Sequence, residues 1–105
     1  MYIGGVLVST FTFFIFFKYK EDLTPEDFER ARKHWKSFVK RWPLNVVLAG
    51  VYTHAWGTPY NGILVIECDN LEDYHRFWHY FRDETRWYIG EVNTVIAHKV
   101  ELESQ

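Results

Sequence analysis

The first element that the pattern defines is apolar on both faces of an extended backbone. From Ser9 to Tyr19, Phe11, Phe13, Ile15 and Phe17 fall on one side and Phe14 and Phe16 on the other. A strand covered on one side only alternates apolar with polar, so this pattern predicts a central strand with its second face also buried. The period then changes. Thr24 can cap a first helical turn, Pro25 suits the first helical position, and Glu26 and Asp27 complement the positive end of the dipole. Phe28, Ala31, Trp35, Phe38, Val39 and Trp42 recur at i, i+3, i+7, i+10, i+11 and i+14, one apolar stripe at helical spacing. Lys33, Lys36 and Lys40 lie opposite, and Pro43 stops the helix.

A second strand is predicted from Asn45 to His54 and a third from Gly62 to Cys68, joined through the turn formers of residues 57–62. Val47, Ala49 and Val51 are set against Val46 and Leu48 on the second strand, and Ile63 and Val65 against Leu64 and Ile66 on the third. Asn70 caps a second helix whose inward stripe is Leu71, Tyr74, Phe77, Trp78, Phe81 and Thr85. The last strand runs from about Glu91 to Glu101, with Val92, Thr94, Ile96 and Val100 on one face and Val95 and Ala97 on the other. The order β-α-β-β-α-β predicts an α+β, ferredoxin-like sandwich: a four-stranded antiparallel sheet in a single domain, residues 1–105 with a core of about 9–101. Right-handed crossovers put both helices on one face. All four strands are nevertheless apolar on both sides. The second face therefore needs cover from outside the chain, and an identical sheet is the economical answer, so the expected partner is a second copy of the same chain.

Composition sharpens this picture in one respect. Nine Phe, seven Tyr and five Trp make 20% of the 105 residues aromatic. That is more than one small core needs, so some rings are expected to line a pocket or an interface for a small apolar or aromatic ligand. A net charge of −2 supplies no field that would gather nucleic acid or an anionic membrane. The third strand also lacks the stacking rings of an RNA-recognition domain, so no nucleic-acid partner is expected. The uncharged run Met1–Phe17 has no preceding positive charge, is interrupted by Gly4, Gly5, Ser9, Thr10 and Thr12, and is shorter than the ~20 apolar residues of a spanning helix. No membrane association is expected from it. Cys68 is the only cysteine, which excludes an internal disulfide and any paired-cysteine metal site and fits a reducing, cytoplasmic setting. There is neither a glycine-rich phosphate loop nor a serine nucleophile elbow.

The stretch Gly62–Trp78, reading GILVIECDNLEDYHRFW, resembles the third strand, acidic cap and second helix of the dimeric α+β barrel superfamily, in particular its antibiotic-biosynthesis-monooxygenase-like proteins. The resemblance extends over about Thr10 to Val100 and rests on layout. It implies a homodimer with a ligand between sheet and helices of each protomer. It also implies chemistry of the kind the superfamily covers: cofactor-independent monooxygenases, haem-degrading monooxygenases, lactone isomerases and polyketide cyclases. The haem-degrading branch uses an Asn, a Trp and a helix His; the first strand here has no Asn, and no cofactor is expected.

Within that frame Tyr52, His54 and Trp56 share one face at period two near the end of the second strand. Histidine titrates near neutrality and tyrosine can donate to a developing oxyanion, so His54, Tyr52 and His98 of the last strand are the candidates for moving a proton. Trp56, Phe14, Trp35 and Trp78 are the candidate ligand-contacting rings. A plainer reading competes at each position, and beside the enzyme stands the alternative of a non-catalytic homodimer that binds a hydrophobic ligand or serves as an assembly module. An aromatic strand end can simply pack on a partner, and a lone His98 on an apolar face is more often a satisfied core residue. His75 and His79 are one helical turn apart, with Glu72 and Asp83 nearby. They could share a metal, but spacing alone is unspecific and a solvated helix flank is the preferred reading, so no metal site is expected. His34 reads as a boundary residue beside the first helical stripe, and Cys68 as a buried small hydrophobe.

Overall fold

A computed structural model of the chain describes residues 11–98 together with two short strands, β1 (Tyr2–Ile3) and β2 (Val6–Leu7), which pair antiparallel with each other. The remaining elements are β3 (Phe11–Tyr19), α1 (Pro25–Lys40), β4 (Val47–Thr53), β5 (Gly62–Cys68), α2 (Leu71–Thr85) and β6 (Ile89–His98). Ser9 and Thr10 of the expected first strand, and Val100 and Glu101 of the expected last one, lie outside the described residues.

β3 to β6 form one antiparallel sheet in the order β4-β5-β3-β6, and with the two helices they make an α+β, ferredoxin-like fold. β3 and β5 are central, as the two-sided apolar pattern of β3 predicts for that strand. Phe13, Ile15, Phe17, Leu64 and Ile66 are buried on one face, with Phe38, Phe77 and Phe81 of the helices in the same cluster. Tyr74 stacks on Phe13 with ring centroids 3.7 Å apart, and its hydroxyl donates to Thr94 Oγ1 at 3.1 Å, fixing α2 over β3 and β6.

Both helices begin as their caps dictate. Thr24 Oγ1 accepts from the Asp27 backbone N–H while the Asp27 carboxylate accepts from Thr24 N–H, a reciprocal box that satisfies two otherwise orphaned donors. Asn70 caps α2 by accepting from the Asp73 N–H at 2.8 Å. Ala31 and Phe38 of the α1 stripe and Phe77, Phe81 and Thr85 of the α2 stripe are buried. Leu71, expected to face inward, is half exposed at the first position of α2. Among the described residues, no helix is long and apolar enough to cross a membrane.

β4 departs from the expected face pattern. Leu48 pairs with Ile66 but Gly50 pairs with Val65, so Ala49 has no residue opposite it, the signature of a β-bulge. Beyond this offset the parity is reversed. Val47 lies opposite Glu67 on the open face, whereas Val51 lies opposite Leu64 on the helix face. Val47, Ala49 and Val51 therefore do not form one side.

The connection to β5 is tied to the end of β3. The Tyr19 N–H donates to Asn61 Oδ1, and the Asn61 N–H to the Phe17 carbonyl, each at 2.8 Å. Gly62 follows where only a hydrogen fits: a Cβ there would lie 2.3 Å from the Tyr52 carbonyl oxygen and 2.5 Å from the Phe17 ring.

Candidate functional site

Between the helix face of the sheet and α1 lies a cleft of about 240 Å³. Leu64 and Phe81, both fully buried, belong to its floor, and Phe17, Tyr19 and Trp35 to its walls. The half-exposed Phe28 and the exposed Arg32 sit at its rim. The bulge turns Val51 and Thr53 of β4 to the helix face, where both join the lining. Tyr88 and Ile89, at the turn between α2 and β6, complete it. The lining is overwhelmingly apolar with a few polar groups, the usual constitution of a small-molecule site.

The polar side chains of the lining are Tyr19, Arg32, Thr53 and Tyr88. Burial raises the Tyr19 phenol above its ordinary range, with the positive charge of Arg32 opposing the shift. Burial raises that of Tyr88 more strongly, and neighbouring Tyr19 and Glu84 add to it, so both hydroxyls stay protonated at any physiological pH. The Tyr88 hydroxyl meets His34 Nδ1 at 2.9 Å, and His34 Nε2 lies 3.5 Å from Glu84 Oε1. Arg41 bonds the same Glu84 oxygen at 3.0 Å and the Tyr80 hydroxyl at 2.7 Å. The Arg41 bond holds the Glu84 carboxyl below its ordinary range, with His34 contributing less. A continuous chain of contacts thus runs from the cleft wall, through His34, to an ionised carboxylate and its guanidinium partner.

Of the residues singled out in the sequence, Trp35 lines this cleft. Others lie elsewhere. Without the bulge, Tyr52 would share the helix face with Leu48; the offset turns it to the open face opposite Ile63, where its ring folds back over Gly50. β4 ends at Thr53, and His54 adopts φ 54°, a left-handed conformation that breaks the period-two relation. Trp56 follows in the connecting loop at 93% exposure, so the three rings do not form a common wall. Phe14 is on the open face, between Val65 and Val95. Trp78 is half-buried on α2 against Tyr74 and Phe81. His98 packs on Phe11, ring centroids 4.6 Å apart, and is exposed. It pairs six positions from Phe17 along β3, roughly 20 Å from the cleft by strand rise.

The His75 and His79 rings are 5.1 Å apart on an exposed flank. Glu72 pairs with Arg76 and Asp83 with Arg86, so neither carboxylate is directed at the imidazoles. No group of three or more His, Cys, Asp or Glu side chains among the described residues is arranged to hold a metal ion. Cys68 is buried, its thiol donating to the Asn70 carbonyl and raised by burial, as an inert core thiol should be.

The residues that sequence reasoning passed over are Tyr88, His34, Glu84, Val51 and Thr53. His34 and Tyr88 are 54 positions apart, and no local pattern links them. For Val51 and Thr53 there was a signal: Gly50, an isolated glycine inside a strand, marks a bulge.

Fold and site together define an α+β, ferredoxin-like domain with a ring-lined cleft between sheet and first helix. Compared with known protein families and with curated proteins, the chain matches no family model and no curated sequence.

Proposed function

We propose that this chain is a homodimeric small-molecule-binding domain of the dimeric α+β barrel kind, holding an apolar or aromatic ligand between sheet and helices. The cleft carries this reading. Its volume of about 240 Å³ suits a bicyclic aromatic molecule, and its floor and walls are rings and branched side chains already held in place by the core. The binding form of the reading is favoured over a monooxygenase- or isomerase-like one, because Tyr52, His54 and His98 all lie away from the lining. The pairing surface proposed is the open face of the sheet. There Phe14, Phe16, Ile63 and Val65 are half-buried, while Val47, Tyr52 and Val95 are about half exposed.

Equilibrium dialysis against 2-acetonaphthone tests the cleft. One saturable site per chain is expected, lost in Ala31→Phe, which fills the cleft, while circular dichroism shows the fold retained. Binding that survives Ala31→Phe, or no saturable binding at all, overturns the cleft assignment. Sedimentation equilibrium at micromolar concentration tests the pairing. The expected species has twice the chain mass of 12.7 kDa, and a species of that single-chain mass overturns it.

A further inference from the structure

Among the described residues, a chain of titratable groups, Glu84, His34 and Tyr88, reaches the cleft through Tyr88, and its chemistry constrains what the cleft can hold. His34 presents one nitrogen to each neighbour: Nδ1 to the Tyr88 hydroxyl at 2.9 Å and Nε2 to the Glu84 carboxylate at 3.5 Å. A neutral imidazole has one donor and one acceptor. The carboxylate accepts only, so the ring hydrogen belongs on Nε2, and Nδ1 must accept from the Tyr88 O–H. In that state the Tyr88 hydrogen is committed to His34, and only oxygen lone pairs remain for anything else. When His34 is protonated both nitrogens donate, so Nδ1–H occupies a lone pair of the Tyr88 oxygen. The phenolic hydrogen is then released from His34.

We propose that Tyr88 is the ligand-orienting group of the cleft, its O–H made available by protonation of His34, and that the cleft takes aromatic molecules bearing a hydrogen-bond-accepting oxygen such as a ketone. This rests on the cleft assignment above and names the ligand class for that same site. The surroundings of the pair support it. Glu84, from α2, is held ionised by Arg41. Tyr19, from β3, interacts with Tyr88 and is flanked by Arg32, and both phenols remain neutral. Trp87 stands edge-on to His34, with the Arg30 guanidinium 5.4 Å from its ring centre. Among these neighbours, imidazole is the only group type that ordinarily changes charge between about pH 5 and 8. His34 also touches no solvent-side carboxylate other than Glu84 in the described contacts, so its proton is read out on one hydroxyl.

The test compares two shape-matched probes, 2-acetonaphthone and 2-ethylnaphthalene, by equilibrium dialysis at pH 5 and pH 8. Neither probe ionises in this range. The ketone is expected to bind roughly fivefold to tenfold more tightly at pH 5, the worth of one added net hydrogen bond, while the hydrocarbon is unchanged. Tyr88→Phe and, independently, His34→Gln should each abolish the pH dependence for the ketone, while the hydrocarbon shows none in either variant. Two variants are used so that misfolding of one leaves the other informative. If both probes bind with no pH dependence, this inference is overturned while the cleft assignment stands. If neither probe binds, both fall. A pH dependence that persists in Tyr88→Phe also overturns the inference, because the responding group would then be elsewhere.

Discussion

The Tyr88 hydroxyl and His34 Nδ1 lie 2.9 Å apart, joining the turn before β6 to the middle of α1 across 54 positions of sequence. The bond ties the last strand to the first helix at the edge of the cleft. It is part-buried, so removing it leaves an imidazole nitrogen without its partner. Tyr88→Phe should therefore lower unfolding free energy by about 1–2 kcal/mol. Urea denaturation at pH 7 measures this, and a loss below about 0.3 kcal/mol would show that the contact contributes nothing to stability.

Phe38 is the ring on which α1 is seated. It is fully buried and touches Trp35, Trp42, Tyr80 and Phe81. Phe38→Ala should cost about 3–5 kcal/mol, the range for an aromatic deleted from a packed core. The check is the midpoint of chemical unfolding, with Val39→Ala on the neighbouring half-buried position as the milder comparison.

Gly62 admits no side chain, because the clash is with the Tyr52 backbone oxygen and with the ring of buried Phe17. Gly62→Ala is expected to destabilise by about 1–3 kcal/mol or more through forced displacement of β4 from β5. By contrast, the nearest atoms to a Cβ at Gly50 are those of the Tyr52 side chain, which can swing away, so Gly50→Ala should be the milder change. Thermal unfolding of the two variants side by side should reveal that order.

The Thr24–Asp27 box gives a pH prediction with a definite sign. The Asp27 carboxyl is held below its ordinary value of 3.8, first by the Thr24 backbone N–H and then by Arg30. Because the folded value is the lower one, the stabilisation is complete above the ordinary value and is lost as pH falls through the folded one. Thr24→Ala should cost about 1 kcal/mol at pH 7. Asp27→Asn should be destabilising at pH 7 and less so at pH 2, because the native carboxyl loses its charge as pH falls through the folded value. Denaturant titrations at the two pH values check both.

On the open face, Val95 is half exposed and pairs with Phe14. Val95→Lys should leave the fold intact, with unchanged far-ultraviolet circular dichroism. It should convert the proposed dimer to a monomer, as read by light scattering on an eluting column.

How much of this was legible in the sequence depends on how local the determinant is. Thr24, Asn70 and Pro43 mark helix ends through interactions spanning three or four residues, and α1 and α2 begin where these residues place them. β3 declares itself central because Phe14 and Phe16 are apolar where an outward face would be polar, whereas the same two-sided pattern in every strand leaves the place of β5 to the topology. The candidate site was less legible. Its position follows from one unpaired residue, Ala49, which moves Tyr52 out and Val51 and Thr53 in. A period-two reading cannot register a single-residue offset, although Gly50 signals one. The contact between His34 and Tyr88 depends on packing α1 against the end of α2, which no periodicity encodes.

The same offset in β4 has a bearing on how the protein avoids unwanted self-association. β4 is one of the two outer strands of the sheet, with backbone groups turned away from β5 and free to recruit a stranger's strand. A regular ribbon in that position would be a template for open-ended fibril growth. The extra residue at Ala49 interrupts the even ladder spacing that such growth requires, so the strand that shapes the cleft is also a poor template for continued pairing.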